Sequence, residues 1–250
     1  MTQKVIRDLK KLKSSNKPFF LTAGFISNHL PFNAPKKYWD LYPTESIKQP
    51  YNNYPAKDLP KDAIGTYGEL RQYAFVPKVG QVTDAEAKKL IHGYYATVSY
   101  VDALIGKITS ALKTLELDEN TIVILVADHG YLLQEHAEWA KFTNHRLSAR
   151  VPLIINLPNS TTKNSTTDAL VELVDIYPTL AGLCGLEIPK NQLNGKSLVP
   201  LLNGRIQNKK VMSLQKKQMG ILSKLIGIAI LNISTLVMAK KNQTRFLTID

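Results

Sequence analysis

The sequence predicts an α/β fold with a mostly parallel central sheet flanked by helices. Three short apolar runs, residues 19–25, 121–127 and 151–157, are separated by helical or irregular segments. Continuous apolar runs of this length are typical of strands that are buried on both faces of a sheet. Strands that alternate with helices along a chain favour a sheet covered on both sides by helices.

Helical periodicity surrounds these runs. The first thirteen residues form an amphipathic pattern, and a second helix is predicted from Thr83 to Leu115, because acidic residues follow Thr83 and apolar residues then recur at helical spacing. A third helix is predicted over residues 168–183, kinked or divided at Pro178. Its inward face is predicted to carry Leu170, Leu173, Val174, Tyr177, Leu180 and Ala181.

Residues 26–80 are rich in Pro, Tyr, Asn and Lys and show little periodicity. We expect a long ordered loop over one end of the sheet, and loops of that length inside a compact domain are usually functional.

The formal net charge of the 250 residues is +12, which at face value favours a polyanion partner such as nucleic acid, an anionic membrane or a sulfated polysaccharide. Residues 205–250 contain nine lysines and arginines against one aspartate, so most of the excess lies in this tail. The rest of the chain has an ordinary charge for a globular domain.

Cys184 is the single cysteine, so an internal disulfide is excluded. It lies in an apolar run, which predicts a buried thiol.

The strongest chemical signal is Asp128-His129-Gly130, directly after the run 121–127. In open α/β sheets ligands bind beyond the carboxyl ends of strands, and a carboxylate next to an imidazole suits a metal ion there. The alternative interpretation is an Asp that caps the following helix. His29 follows the run 19–25 in the same way, so two strand ends each present a histidine, which favours a site over scattered histidines.

Longer motifs resemble those of the type I sulfatases, and most of all the iduronate-2-sulfatase branch. Residues 18–32 resemble the pattern PFFLAVGFHKPHLPF, and residues 127–141 resemble SDHGWHLGEHGEWAK. Further similar stretches are residues 35–42, 150–154, 170–183 and 195–202. The resemblance covers roughly residues 5–205, and it implies an alkaline-phosphatase-like fold that is incomplete in this chain.

The resemblance also implies roles for particular residues. Asp128 and His129 would help to bind one Ca²⁺ ion, and His29 and Lys141 would be catalytic, contacting the sulfate and the leaving oxygen. His136 and Trp139 would bind substrate. The family hydrolyses sulfate esters with a formylglycine made from Cys or Ser, and its natural substrates here would be sulfated uronic-acid polysaccharides. Family members are typically secreted, periplasmic or lysosomal.

Departures from the family pattern qualify these expectations. Ile26, Ser27 and Asn28 replace the family's His-Lys-Pro, and Gln134 and Ala137 replace two glycines, which affects substrate contacts more than metal binding. No Cys/Ser-x-Pro-x-Arg motif and no Asp-Asp pair occurs, so we expect no nucleophile in this chain and an incomplete calcium site. Both features normally precede the helix that opens the chain, and no signal peptide is recognisable at its start.

The tail suggests a two-domain division, with a sulfatase core over residues 1–205 and an aberrant segment over residues 206–250. The family pattern after Met219-Gly220 is MGYSIKTDRYRYTEY, and synonymous codons exist for which a one-base shift from about residue 221 encodes that run. We therefore expect a frameshifted tail without consistent burial against residues 1–205. Lys224 and Asn232 interrupt the apolar run 221–239, so no stable membrane span is expected.

Several functions remain open at the level of sequence. One is a sulfatase-family polypeptide, with no nucleic-acid partner. Another is a catalytically dead fragment or a polyanion-binding remnant, which the absent nucleophile favours for this chain alone. The alternative enzyme is a phosphatase or phosphonate hydrolase of the same superfamily.

Overall fold

The computed structural model of the chain describes residues 1–60, 64–65, 68–158, 160, 165–189, 192–204 and 234–240. Within these ranges the central sheet has four strands, β1 (Phe20–Phe25), β2 (Thr121–Ala127), β5 (Leu153–Asn156) and β6 (Ser234–Lys240). Their order across the sheet is β1-β6-β2-β5. The α/β class predicted from the sequence is confirmed.

Helices cover both faces of this sheet. On one face, α1 (Thr2–Ser15) and α3 (Asp84–Thr114) bury Leu9, Ile108 and Leu112 against β1 and β6. On the other face, α5 (Ile176–Leu183) packs on Ile122 and Ile124 of β2. Each of these large side chains removed from water contributes roughly 1.5–3 kcal/mol to folding, so the two apolar layers hold the sheet between them.

The sequence signals at the ends of the helices match the structure. Thr83 and Glu86 form a reciprocal capping box at the start of α3, where the Thr83 hydroxyl accepts a bond from the Glu86 amide. Asn16 ends α1 in the left-handed conformation, at φ 50°.

The expectation of a mostly parallel sheet is wrong for the strands described. β1 and β2 do run in the same direction, but β6 lies between them and is antiparallel to both, and β5 is antiparallel to β2. A buried apolar run suits a central strand of either direction, so periodicity alone does not report strand direction. The carboxyl ends of β1 and β2 still lie at the same edge of the sheet.

The tail contributes the central strand β6. Leu236, Met238 and Ala239 are at most 1% exposed, so the expectation that the tail lacks consistent burial is wrong for residues 236–239. The backbone of this strand pairs with β1 on one side and β2 on the other, and its side chains pack into both apolar layers, Leu236 and Met238 into one and Val237 into the other. The rest of the predicted aberrant segment, residues 205–233 and 241–250, lies outside the described residues, and the frameshift stays a prediction.

The predicted helix over residues 168–183 is shorter than expected. A 3-10 turn, Leu173–Asp175, precedes α5, so Pro178 occupies its first turn, where proline is tolerated. Leu170 is 65% exposed, and Leu173, Val174 and Tyr177 are also exposed, whereas Ala181 is buried as predicted. Cys184 is half-buried, because it lies at the end of α5 rather than inside the core.

Residues 26–80, where described, form the predicted long loop. It contains α2 (Lys36–Trp39) and 3-10 turns at Thr44–Ser46 and Leu70–Gln72, and its apolar side chains pack against the first turns of α3.

A second small sheet pairs β3 (Leu132–Leu133) with β4 (Trp139–Ala140). The remaining short elements are α4 (Arg146–Ala149), α6 (Val199–Leu202) and the 3-10 turns Asp118–Asn120 and Glu135–Ala137. Within the described ranges, no helix combines the length and the apolar character needed to cross a membrane.

Candidate anion and metal site

The candidate site lies at the edge of the sheet where β1 and β2 end. Asp128 and His129 follow β2 directly, and His29 follows β1 after a turn in which its amide donates to the Ile26 carbonyl, 2.9 Å away. The same edge is where α/β sheets bind ligands. The direction shared by β1 and β2 therefore brings the two histidine-bearing segments to one place.

Lys141 reaches this edge from β4, and its side chain is only 5% exposed. The segment that leads to it has left-handed backbone at four residues other than glycine: Gln134, His136, Ala137 and Ala140. Such conformations cost free energy and cluster at functional sites. This segment places the Lys141 side chain against His29.

Lys141, His29 and Glu69 form a three-membered contact. The Lys141 Nζ atom lies 2.8 Å from His29 Nε2 and 2.8 Å from Glu69 Oε2, and Glu69 Oε1 lies 2.8 Å from His29 Nε2. The side chains of His29 and Glu69 are 16% and 22% exposed. An ammonium, an imidazole and a carboxylate thus share one largely buried position.

The hydrogen bonds of His29 define what this group can do with a proton. Its Nδ1 lies 2.7 Å from the Leu30 carbonyl oxygen, which only accepts, so Nδ1 carries a hydrogen. In the neutral ring Nε2 then accepts a bond from the Lys141 ammonium, and in the charged ring it donates to Glu69. The arrangement therefore supports transfer of a proton between Lys141 and His29.

The surroundings of His129 favour the neutral form of its ring. Its Nδ1 donates to the Gly130 carbonyl oxygen at 2.7 Å, which leaves the Nε2 lone pair to face Asp128 Oδ2 at 3.7 Å. Burial lowers the pKa of His129, and the charges of Lys141 and His29 lower it further, against the opposing effects of the Gly130 bond and the Asp128 carboxylate. The last residues of β1 and β2, Phe25 and Ala127, both pair with Ser234 of β6, so the segments that carry His29 and Asp128 leave the sheet at the same level.

Asp128 and His129 fit part of a metal site. A carboxylate oxygen and a neutral imidazole nitrogen are both metal donors, and a ring whose other nitrogen donates to a carbonyl is the usual arrangement of a ligating histidine. His129 Nε2 is buried without a hydrogen-bond partner in the described part of the chain. Among the described residues, no three or more His, Cys, Asp or Glu side chains are grouped to hold a metal ion. The two residues would thus supply two ligands of a larger shell.

Comparison with known proteins agrees with this geometry. A family model described as Sulfatase matches residues 1–186. Iduronate 2-sulfatase of Mus musculus is 35% identical in an alignment 218 residues long that covers 75% of this chain and 40% of that protein.

The chain belongs to the sulfatase family.

Solved structures with the same fold support this assignment. The candidate sulfatase yidJ of Bacteroides fragilis aligns with a TM-score of 0.63 at 27% identity, over 84% of this chain and 41% of that one. The phosphonate monoester hydrolase of Silicibacter pomeroyi aligns with a TM-score of 0.58 at 23% identity, over 85% of this chain and 44% of that one, which shows a shared fold. The alkaline-phosphatase-like fold is thereby confirmed. This chain spans about two fifths of the length of the curated relatives it matches.

The two predicted substrate-binding residues of the sulfatase-family chain have different positions. Trp139 is 2% exposed and lies inside the apolar cluster that joins residues 26–80 to α3, and its role in substrate binding stays a prediction. His136 stacks on His145, with ring centroids 5.1 Å apart, and its Nε2 lies 3.3 Å from Asn52 Nδ2. Its role in substrate binding stays a prediction.

Sequence reasoning missed Glu69, which completes the contact with His29 and Lys141. It lies in the irregular loop, and no periodicity or motif marks it. Its neighbour Leu70 is fully buried, and the Gly65 amide donates to the Glu138 carboxylate at 2.7 Å, so this loop is fixed on the strained segment. The length of the loop was the one available signal that it carries function.

Gly130 determines how closely the site approaches α4. A Cβ atom at this position would overlap the Leu147 carbonyl oxygen and lie 2.9 Å from that of Arg150. The Gly130 amide also donates to the Ser148 carbonyl at 2.8 Å. Glycine is therefore required beside Asp128 and His129 because α4 packs directly on the backbone there.

Proposed function

We propose that this chain forms part of the catalytic core of a sulfuric ester hydrolase and that His29, Lys141, Asp128 and His129 handle the sulfate group. The observation that carries this proposal is the 2.8 Å contact between Lys141 and His29, at the edge of the sheet where β1 and β2 end and Asp128 and His129 follow. Membership of the sulfatase family supports the choice of sulfate esters as substrate class.

Lys141 and His29 would act on the charge that develops as the S–O bond breaks. The Lys141 ammonium neutralises charge on the sulfuryl oxygens, where a largely buried cation is worth more than one in water. The leaving oxygen becomes basic as its bond to sulfur breaks, and the Lys141–His29 pair is arranged to give it a proton. Each residue therefore has a defined task in binding or in proton transfer.

Asp128 and His129 would hold a Ca²⁺ ion together with ligands outside these two residues. A bound Ca²⁺ ion would add charge stabilisation at the sulfuryl oxygens. Because Ca²⁺ prefers six to eight oxygen ligands, one carboxylate and one imidazole are expected to bind it weakly.

The chain does not fit the family's formylglycine. No Cys/Ser-x-Pro-x-Arg motif occurs in the sequence, and Cys184 is followed by Gly185 and lies half-buried at the end of α5. We therefore derive no nucleophilic step from these residues. The 250-residue chain is expected to bind sulfate esters without turning them over.

Sulfated uronic-acid polysaccharides are the proposed natural substrates of the complete enzyme. The name of the mouse relative refers to a sulfated uronic acid, and the Lys141 ammonium would face the sulfate group of such a substrate. Because the chain shares its fold with a phosphonate monoester hydrolase, phosphonate monoesters are the alternative substrate class against which sulfate esters are tested.

The test combines turnover and binding on the purified chain. We expect no hydrolysis of 4-nitrophenyl sulfate, and calorimetric binding of this ester that is lost in Lys141→Ala and retained in the surface control Lys13→Ala. A phenyl phosphonate monoester should bind more weakly. Hydrolysis that is lost in His29→Ala would show that the chain is an enzyme by itself, and tighter binding of the phosphonate would assign the site to the alternative class.

A further inference from the structure

Glu69 brings a negative charge into the position that an anion must occupy. Its two carboxylate oxygens lie 2.8 Å from His29 Nε2 and 2.8 Å from Lys141 Nζ. These are the two groups that would meet the sulfate oxygens. An anion that binds to Lys141 therefore approaches Glu69 as well.

The negative charge of Glu69 affects the pKa values of neighbouring side chains. The pKa of the Tyr131 hydroxyl is raised by burial and then by the charge of Glu69, and the pKa of Tyr73 is raised by the same two causes. Lys141 is 5% exposed, and Glu69 is 22% exposed, so water screens this charge poorly. The Lys141 ammonium is in contact with the Glu69 carboxylate, and the Asp128 carboxylate belongs to the same site, so these side chains carry about one negative charge before a metal binds.

We propose that Glu69 is a specificity-determining residue that makes the site prefer anions of one negative charge to anions of two. The proposal rests on the proposed function, in which the ligand of Lys141 and His29 is a sulfate group. A sulfate monoester carries one negative charge, whereas inorganic sulfate carries two at neutral pH. Repulsion by a fixed carboxylate grows in proportion to the charge of the ligand, so Glu69 acts about twice as strongly on the dianion.

This preference has a direct consequence for the reaction. The substrate is the monoanion and the released inorganic sulfate is the dianion, so Glu69 favours entry of the ester and release of the product. A phosphate monoester, which carries about 1.5 to 2 negative charges near neutral pH, is disfavoured for the same reason. Glu69 thus separates sulfate esters from phosphate monoesters by charge rather than by shape.

A purely structural role of Glu69 makes a different prediction. If the carboxylate only holds Lys141 in place, its loss weakens the binding of every anion by a similar factor. If it repels anions in proportion to their charge, its loss strengthens binding, and more for the dianion. The ratio of two affinities therefore distinguishes the two roles.

The experiment measures the binding of methyl sulfate and inorganic sulfate at low ionic strength by calorimetry. In Glu69→Gln we expect methyl sulfate to bind about threefold more tightly and inorganic sulfate roughly tenfold, because doubling a free energy squares the change in affinity. Glu69→Asp, which keeps the charge, should stay within about twofold of the wild-type ratio. Glu116→Gln removes a Glu–Lys pair at the surface, where Glu116 is 85% exposed, and should change neither affinity.

The outcomes separate this inference from the proposed function. An unchanged ratio in Glu69→Gln, or weaker binding of both anions, would overturn the role of Glu69 while leaving the site intact. The proposed sulfate site would instead be overturned if wild type and Lys141→Ala bind the two anions with the same affinity. It would also be overturned if neither protein binds them. If Glu69→Gln is poorly folded, Glu69→Asp still tests the claim, because a lost preference for methyl sulfate in a variant of unchanged charge contradicts it.

Discussion

Replacing Gly130 by alanine tests how tightly the Asp128-His129 segment is packed. The added methyl group would overlap the Leu147 carbonyl oxygen and come within 2.9 Å of the Arg150 carbonyl, so the backbone of α4 has to move. Overpacking of this kind costs about 1–3 kcal/mol, and loss of the 2.8 Å bond from Gly130 to Ser148 adds about 0.5–1.5 kcal/mol. We expect Gly130→Ala to lower the free energy of unfolding by about 2–4 kcal/mol, a large part of the 5–15 kcal/mol typical of a domain.

The measurement is urea denaturation of the variant beside a matched control. Gly106 lies exposed in the middle of α3, with no heavy atom within 4 Å of an added Cβ, so Gly106→Ala should raise the free energy of unfolding by about 0.5–1 kcal/mol. A general effect of replacing glycine by alanine would change the stability of both variants in the same direction. Opposite changes in Gly130→Ala and Gly106→Ala therefore report the local environment of each glycine. A Gly130→Ala variant as stable as the wild type would refute the close approach of α4 to the site.

Two other predictions concern titration and burial. Because burial holds the pKa of His129 below its ordinary value, the unfolded chain binds more protons below about pH 6.5, and stability should fall as the pH drops through that window. His129→Asn should flatten this part of a stability profile measured in chelator, and an unchanged slope would contradict the assignment. Tyr131→Phe should leave the free energy of unfolding within about 1 kcal/mol of wild type or raise it, because the hydroxyl is buried with no hydrogen-bond partner in the described part of the chain. A loss of more than about 2 kcal/mol in urea denaturation would show that this hydroxyl does have a partner.

Local signals were sufficient for much of the fold. The start of α3 follows from Thr83 and Glu86, whose side chains form the capping box without help from the rest of the chain. His29 and Asp128 were placed at one edge because each follows a buried strand. Strand direction was not predictable in this way, since the position of β6 depends on pairing with β1 and β2, which are far away in sequence.

Residues whose environment is set by distant contacts could not be predicted. Glu69 contacts His29 and Lys141 across 40 and 72 positions of sequence, through a loop without periodicity. Leu170 follows the helical spacing but is exposed, because the helix begins only at Ile176. In both cases tertiary packing overrides the local pattern.

The reading-frame hypothesis is tested on the gene itself. If residues from about 221 onward are a shifted translation, a one-base shift of the codons should encode a run similar to Tyr-Ser-Ile-Lys-Thr-Asp. The burial of β6 at the centre of the sheet favours a structural role for residues 234–240 in the chain as translated. A shifted frame without such a run would end the hypothesis.

The five imidazoles of the chain allow the most direct test of the proposed sulfate site. NMR spectra of the histidine side chains would be recorded while methyl sulfate is added, in the presence of Ca²⁺. The account predicts that the ring resonances of His29 and His129 shift with one common affinity, while those of His92, whose Nε2 lies 2.8 Å from the Trp39 carbonyl, stay in place. Shifts at His92 or His145 without shifts at His29, or no shift at any ring, would contradict a sulfate site at the ends of β1 and β2.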